Sequence, residues 1–381
     1  MKKLLLPVLS LCAWCVLYGC GGGGSSTPPP PPPPTARFTP TGSMTYERVQ
    51  HTATLLQDGR VLVTGGIQLT SFVNAPLNTA ELYDPTTGSF AMVASIMETT
   101  RWDHTATLLQ NGKVLITGGE NIIGPGLSEL FDPLSNTFTP TGGMATARLG
   151  HAATLLHDGR VLVTGGAEGN GSIPLATAEL YDPASGTFAP TGSMEVARFG
   201  PSATVLSDGR VLVTGGRDAT YSALASAEVY DPSTGSFTPT GNMATTRYFH
   251  SATLLNNGEV LVTGGWDSSG SVLATAELFD STTESFTAAG SMASARASHV
   301  TILLPSGKVL VTGGEDSFLN SIATAEIFDP AARSFTPTGT MQTARAFATV
   351  TLLSDGRAMV VGGTGVSGGW QVSFASAELY K

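Results

Sequence analysis

The chain has 381 residues, with 46 Gly, 23 Pro and only 13 % charged residues, the composition of a turn-rich all-β protein. Its 41 % hydrophobic content supplies material for a core and excludes disorder of the whole chain. A net charge of -10 leaves no basic surface for phosphate, so no nucleic-acid partner is expected.

Lys2 and Lys3 precede an apolar run from Leu4 to Tyr18, short for a membrane span and suited to a signal-peptide core. The run ends in Leu17-Tyr18-Gly19-Cys20, which resembles the cleavage box of bacterial lipoproteins, whereas Cys12 and Cys15 follow the bulky Leu11 and Trp14. Residues 1–19 therefore read as a lipoprotein signal peptide and Cys20 as the lipidated first residue of the mature chain, with an ordinary secretory signal as the alternative. Residues 20–35 combine a Gly/Ser stretch with seven prolines, a flexible piece joined to a polyproline spacer of about 22 Å at ~3.1 Å per residue. The expected location is exported and lipid-anchored to the bacterial cell envelope. Gly21 rather than Asp after the Cys resembles the outer-membrane sorting pattern of a Gram-negative host. All three cysteines lie in the first 20 residues, so the domain that follows has no Cys nucleophile and no Cys-ligated metal.

From residue 36 to 381 the chain is repetitive. Gly-Gly pairs after an apolar run begin at Gly65, Gly118, Gly165, Gly215, Gly264, Gly313 and Gly362, giving seven units of about fifty residues. In the unit read from Arg148, His151 to Leu156 is strand a, Asp158-Gly159 a two-residue turn of type I′, and Val161 to Thr164 strand b, ending at Gly165 and Gly166. Strand b is apolar on both faces and needs cover on both. Ala178 to Tyr181 is strand c, Asp182-Pro183 with Gly186 is a turn whose Gly takes positive φ, and strand d starts at Phe188.

Gly-Gly closing strand b, then an aromatic before Asp-Pro, then a second aromatic seven positions on (Tyr181 and Phe188, Tyr230 and Phe237) resembles the kelch repeat. The second aromatic, usually Trp in that family, is Phe in this chain. The resemblance implies an all-β, seven-bladed propeller of four-stranded antiparallel blades. The chain stops after a strand c at Tyr380 and Lys381, while Arg37 to Met44 matches a strand d. The last blade is therefore expected to be closed by the N-terminal strand, leaving no open edge.

Seven Arg, among them Arg148 and Arg198, share one register, and seven Glu, among them Glu179 and Glu228, share another. Residues present in every unit read as structural, as Arg–carboxylate braces, with an anion-binding Arg ring as the alternative. His51, His104, His151, His250 and His299 also share a register; a sevenfold ring spaces them too widely for one ion, so they read as polar residues seated between blades. Glu120, Glu168, Asp218, Asp267, Glu315 and Asp316 follow Gly-Gly closely and form either a cation-binding rim or caps for their own loops. No metal site and no cofactor is assigned.

Copper oxidases carried on kelch propellers use a Tyr cross-linked to a Cys, which the Cys-free domain lacks. No Ser-His-Asp, HExxH or P-loop pattern appears. Antiparallel parity places the a–b and c–d turns on one face and the variable b–c and d–a loops on the other. The aromatics outside the repeat register fall on the loop face, so Trp102, Tyr221, Tyr248, Trp266 and Trp370 are the candidate ligand-binding residues. The reading is a monomeric, lipid-anchored binding or scaffold module for a protein or glycan. The alternative is an exported carbohydrate-active enzyme, similar to sialic-acid epimerases or a lyase, with a site at the propeller axis.

Overall fold

The computed structural model describes residues 36–70, 74–119, 126–168, 173–367 and 370–381. Residues 36–381 form one compact unit; the expected signal peptide, Cys20 and the linker lie outside the described residues. The unit is seven four-stranded antiparallel sheets, with three two-stranded hairpins in the b–c loops of blades 1, 3 and 7. Blade 1 consists of strands a (Thr52–Leu55), b (Val61–Thr64), c (Ala80–Asp84) and d (Ser89–Met92). Strand a begins at Thr105, Ala152, Ser202, Ser251, Val300 and Thr349 in blades 2 to 7.

Strand b is buried along its whole length in every blade, because its two faces pack on the two neighbouring blades. Seven hydrophobic clusters result, one at each blade boundary; that between blades 7 and 1 joins Val361 and Leu379 to Val63 and Tyr83. The register aromatics pair inside each blade, as in Tyr181 with Phe188 at a centroid distance of 4.9 Å.

Blade 7 takes its strand d from the N-terminus. Phe38–Ser43 runs antiparallel to Ser376–Tyr380, with Phe38 opposite Tyr380 and Pro40 opposite Glu378. Their rings stand 5.0 Å apart, the same aromatic pair that the other six blades contain. Strand d runs from the turn face to the loop face, so the chain enters the propeller on the turn face.

The a–b turns differ from the type I′ expectation. Gly59 has φ +87° and Asp58 does not have positive φ, while Gly59 N–H donates to the Leu56 carbonyl and Leu56 N–H to the Arg60 carbonyl. This is a type I turn followed by a left-handed Gly that makes a bulge. Asp58 selects it by accepting the Arg60 amide at 3.0 Å. Where the c–d turn lacks Gly, Asn136, Glu284 and Arg333 take the positive φ themselves.

The repeated Arg and Glu form seven buried ion pairs: Arg48–Glu81, Arg101–Glu129, Arg148–Glu179, Arg198–Glu228, Arg247–Glu277, Arg296–Glu326 and Arg345–Glu378, at 2.8 to 3.2 Å. Arg48 shows how each works. One guanidinium nitrogen donates to the carbonyls of Gly65 and Thr79, the other to Thr79 Oγ1 and Glu81. The second oxygen of Glu81 accepts the amide of Thr45, on the crossover arriving from strand d of blade 7. The main-chain carbonyl of Arg48 accepts the amide of Gly363 of blade 7 at 3.0 Å. Gly-Gly is required there: a Cβ on Gly65 would stand 2.5 Å from the Arg101 carbonyl oxygen and 2.7 Å from the His104 ring.

The five His lie buried or half-buried, and each directs Nε2 to a hydroxyl of the preceding blade, as His104 does to Thr52 and Thr64 at 3.2 Å. Burial, and then the neighbouring Arg, push His51, His151 and His250 down to about 3, so they are neutral at physiological pH.

Because the Arg–Glu contact is direct and desolvated, Arg198→Ala and Glu228→Ala should each destabilise by about 3 to 5 kcal/mol, since each strands a buried charge. The double variant should lose at least about 1 kcal/mol less than the sum in chemical denaturation. Additive losses would show that the pair carries no coupling. Glu179→Ala, which breaks the pair of blade 3, should be additive with Arg198→Ala.

Candidate functional site on the loop face

The axis of the propeller is a channel whose cavity of about 390 Å³ is lined by strand a, including Thr52, Thr105, Ser251, Thr301 and Thr349. On the loop face its mouth is ringed by the residue just before the His register in each blade: Gln50, Asp103, Gly150, Gly200, Phe249, Ser298 and Phe347. All seven have φ between +51° and +63°. For Gln, Asp, Phe and Ser this conformation costs on the order of 1 kcal/mol each. It is held by amides that run from blade to blade: Asp103 to Gln50 O, Gly150 to Asp103 O, Gly200 to Gly150 O, Ser298 to Phe249 O and Phe347 to Ser298 O. Phe249 and Phe347, two blades apart, meet edge to face at 5.6 Å over the mouth.

Outside this ring, the residue after Gly-Gly pairs with a residue of the d–a crossover, as Phe199 with Arg217, Tyr248 with Trp266 and Ala297 with Glu315. The repeat breaks down at this position. Ile67, Ala167 and Thr364 occupy it in blades 1, 3 and 7, whereas blades 4, 5 and 6 present Arg217, Trp266 and Glu315 side by side. The Arg217 guanidinium lies over the rings of Phe199 and Tyr221, at 4.5 and 4.8 Å. Trp266 Nε1 donates to Glu315 Oε1 at 3.3 Å and Ser298 Oγ donates to the same oxygen at 3.1 Å.

Glu315 is 5 % exposed. Burial raises its pKa, and the hydrogen bonds from Trp266 and Ser298 offset this only in part. Tyr248 is also raised by burial, with Arg217 pulling down and Glu315 and Asp267 pushing up. Tyr248, Trp266, Glu315, Ser298 and Phe249 thus form one connected aromatic and acidic sector, linked by the Tyr248–Phe249 ring contact at 5.2 Å.

Of the five residues expected to bind ligand, Tyr248 and Trp266 lie in this sector, half-buried, and Tyr221 borders it through Arg217, 60 % exposed. Trp102 and Trp370 stand on blades 2 and 7, outside it; Trp370 is 61 % exposed in the Thr364–Ser367/Trp370–Ser373 hairpin. The acids after Gly-Gly divide. Asp218, Asp267 and Asp316 each accept two amides of their own loop. Glu168 is exposed in the blade 3 hairpin, and Glu120 lies outside the described residues. Among the described residues no three His, Cys, Asp or Glu side chains converge as a metal site.

The residues that sequence reasoning did not single out are Ser298 and Arg217, and Glu315 only as one of several acids. The register narrows the acids without deciding among them, since Glu120 and Glu315 both stand directly after Gly-Gly, where blades 1 and 3 carry Ile67 and Ala167. The turn face holds larger clefts, about 660 Å³ beside Asp58, Arg60 and Asp355 and about 480 Å³ beside Asp158, Asp208 and Arg210. These occupy equivalent positions between blades 7 and 1 and between blades 3 and 4, so they are products of the repeat and mark no unique site.

The sequence profile of the KLHDC2/KLHL20/DRC7 Kelch-repeats domain matches residues 150–363. No curated protein sequence matches the chain. Among solved structures, the chain is similar to one described as a novel fungal alcohol oxidase with catalytic diversity among the AA5 family, in complex with copper. The TM-score is 0.74 at 20 % identity, over 91 % of this chain and 76 % of that one, a likeness of fold alone.

An unpaired buried carboxylate disfavours folding at neutral pH. With its folded pKa above the unfolded value, Glu315 binds its proton more readily in the native state, so its contribution to stability falls as pH rises from about 4.5 upward. Glu315→Gln should therefore melt at or above the wild-type temperature at pH 7. The difference should shrink as pH falls toward the unfolded pKa, as scanning calorimetry across pH 4.5 to 8 can measure. A Glu315→Gln protein less stable than wild type at pH 7 and equally so at pH 5 would show that the charge is already satisfied.

Proposed function

The chain belongs to the kelch-repeat family, and from that premise we propose that it is a binding module that takes a protein partner on its loop face, through the sector of blades 4 to 6. One observation carries this: on a ring built from seven near-identical units, the place where the repeat gives way to aromatic and charged side chains in three consecutive blades is beside the axis on that face. A rigid scaffold with a localised, asymmetric set of Trp, Tyr and Arg has the composition of an interface hot spot. The proposal extends to the setting. The protein acts as a monomer, held to the bacterial envelope by a lipid on Cys20, with a glycan as the alternative ligand. The N-terminal strand of the propeller begins at the turn face, opposite the proposed binding face.

The test of the face is a partner captured from envelope extract and titrated against variants. Trp266→Ala and Tyr248→Ala, if folded, should weaken it about thirty-fold each, for about 2 kcal/mol at ~1.4 kcal/mol per decade. Arg160→Ala is the control on the turn face: among the described residues its side chain bonds Asp158 alone, whereas Arg60 and Arg210 also reach neighbouring blades. Loss of the partner in Arg160→Ala with retention in both aromatic variants would reverse the assignment. For the anchor, Cys20→Ser should move the protein from the membrane fraction to the soluble one; unchanged fractionation would remove the lipid from the proposal.

A second reading, a carbohydrate-active enzyme, draws on the raised carboxyl of Glu315, the property a general acid needs near neutral pH. Turnover of an amino-sugar substrate followed by NMR, abolished in Glu315→Gln, would favour it over the binding module.

A further inference from the structure

Eight acidic side chains are buried among the described residues, and seven of them are the repeated Glu that each hold an Arg. Glu315 is the eighth and forms no ion pair. Its Oε1 takes both of its hydrogen bonds, from Trp266 and Ser298, and Oε2 has no protein partner among the described residues. The cation on the same register, Arg217, is two blades away and committed to the rings of Phe199 and Tyr221. A buried carboxylate without a counter-charge is costly, and the remaining seven show how this fold answers that cost when it can.

We propose that Glu315 is the anionic floor of a subsite for a primary ammonium group. Trp266 and Tyr248 form its aromatic wall, and Oε2 is the acceptor left for the ligand. The donor set selects this chemistry. A hard divalent cation wants six or more converging oxygens, and a single carboxylate oxygen beside indole and phenol rings does not offer them. An alkylammonium asks for one strong acceptor and for aromatic surface near its carbon-bound charge; the acceptor is Oε2, and the Trp266 indole adjoins the same carboxylate through its N–H. A neutral hydroxyl ligand would leave the charge uncompensated. The inference rests on the loop face being the binding face and adds what that face recognises: the amine of a lysine side chain on a partner, or a free amine.

The experiment uses the propeller unit, residues 36–381, which closes its own ring, and follows Trp fluorescence and calorimetry with n-butylammonium chloride as the probe and n-butanol as its neutral isostere. Butylammonium should bind saturably and butanol should not. Glu315→Gln should weaken butylammonium at least ten-fold while melting no lower than wild type at pH 7, and Glu168→Gln, an exposed acid of blade 3, should leave butylammonium binding unchanged. Nα-acetyl-lysine-methylamide binding more tightly than butylammonium would assign the source to a polypeptide, and equal binding would assign it to a free amine. Equal binding of butanol and butylammonium, indifference to Glu315→Gln, or Ca²⁺ displacing the probe in the wild type but not in Glu315→Gln would overturn the proposal. The two readings fail separately. A partner that is lost in Trp266→Ala and bound as before by Glu315→Gln would sustain the face and end the ammonium subsite.

Discussion

Everything in this propeller hangs from the way one Arg per repeat is used twice. Its side chain is committed to its own blade, through Glu on strand c and the carbonyls that flank the b–c loop. Its main-chain carbonyl accepts the second Gly of the preceding blade: Gly66 to Arg101, Gly119 to Arg148, and so on around to Gly363 and Arg48, at 2.8 to 3.0 Å in all seven cases. The same Glu accepts the crossover amide three residues upstream of its Arg. A blade therefore cannot shift relative to its neighbour without breaking a desolvated ion pair or burying an unmet amide, and either loss is a large fraction of a domain's net stability. The hydrophobic clusters between blades supply the bulk of the driving force, but they are non-directional. The angle between blades is set by the polar clamp.

That division of labour frees the rest of the loop face. Crossovers are pinned at Arg, so the residues on either side of it can be anything the local geometry tolerates. The ring around the mouth makes the point: Gln50, Asp103, Phe249, Ser298 and Phe347 all adopt a left-handed conformation that none of them favours, because the clamped chain on both sides leaves no other path. Strain of this kind persists only where the surroundings over-determine it, and here it brings Phe249 and Phe347 together and turns Ser298 to Glu315.

The units, their four strands and the two faces were legible because a repeat multiplies weak signals: an Asp-Gly, an aromatic before Asp-Pro or a Gly-Gly says little once and a great deal seven times. The Arg–Glu contacts were legible for the same reason. What could not be read is what depends on backbone torsion or on departures from the repeat. Asp-Gly at the a–b turns is compatible with two hairpin types, and the choice was made by the Asp58 carboxylate capping the Arg60 amide, a three-dimensional fact. The left-handed ring is invisible in Gln, Asp, Phe and Ser, which carry no torsional signature comparable to Gly. The candidate site was half visible: Tyr248 and Trp266 stood out as aromatics on variable loops, whereas Trp102 and Trp370 share that description and lie on other blades. Glu315 looked like its neighbours Asp267 and Asp316, and only the structure separates the acids that cap their own loops from the one that turns inward.

That separation bears on how a symmetric scaffold acquires a function. The seven repeated carboxylates and Glu315 face the same physical problem, a negative charge taken out of water, and the fold solves it seven times with an Arg placed four residues before the start of strand a. At Glu315 it supplies, among the described residues, an indole N–H and a hydroxyl, both on one oxygen, which orient the carboxylate and leave its charge unneutralised. Were stability the sole constraint, Gln or an apolar residue like those of blades 1 and 3 would serve better at that register. An oriented, under-compensated charge held at the edge of an aromatic sector is a structural cost that, among the described residues, one blade bears, the same blade in which the repeated carboxylate, Glu326, is met by Arg296.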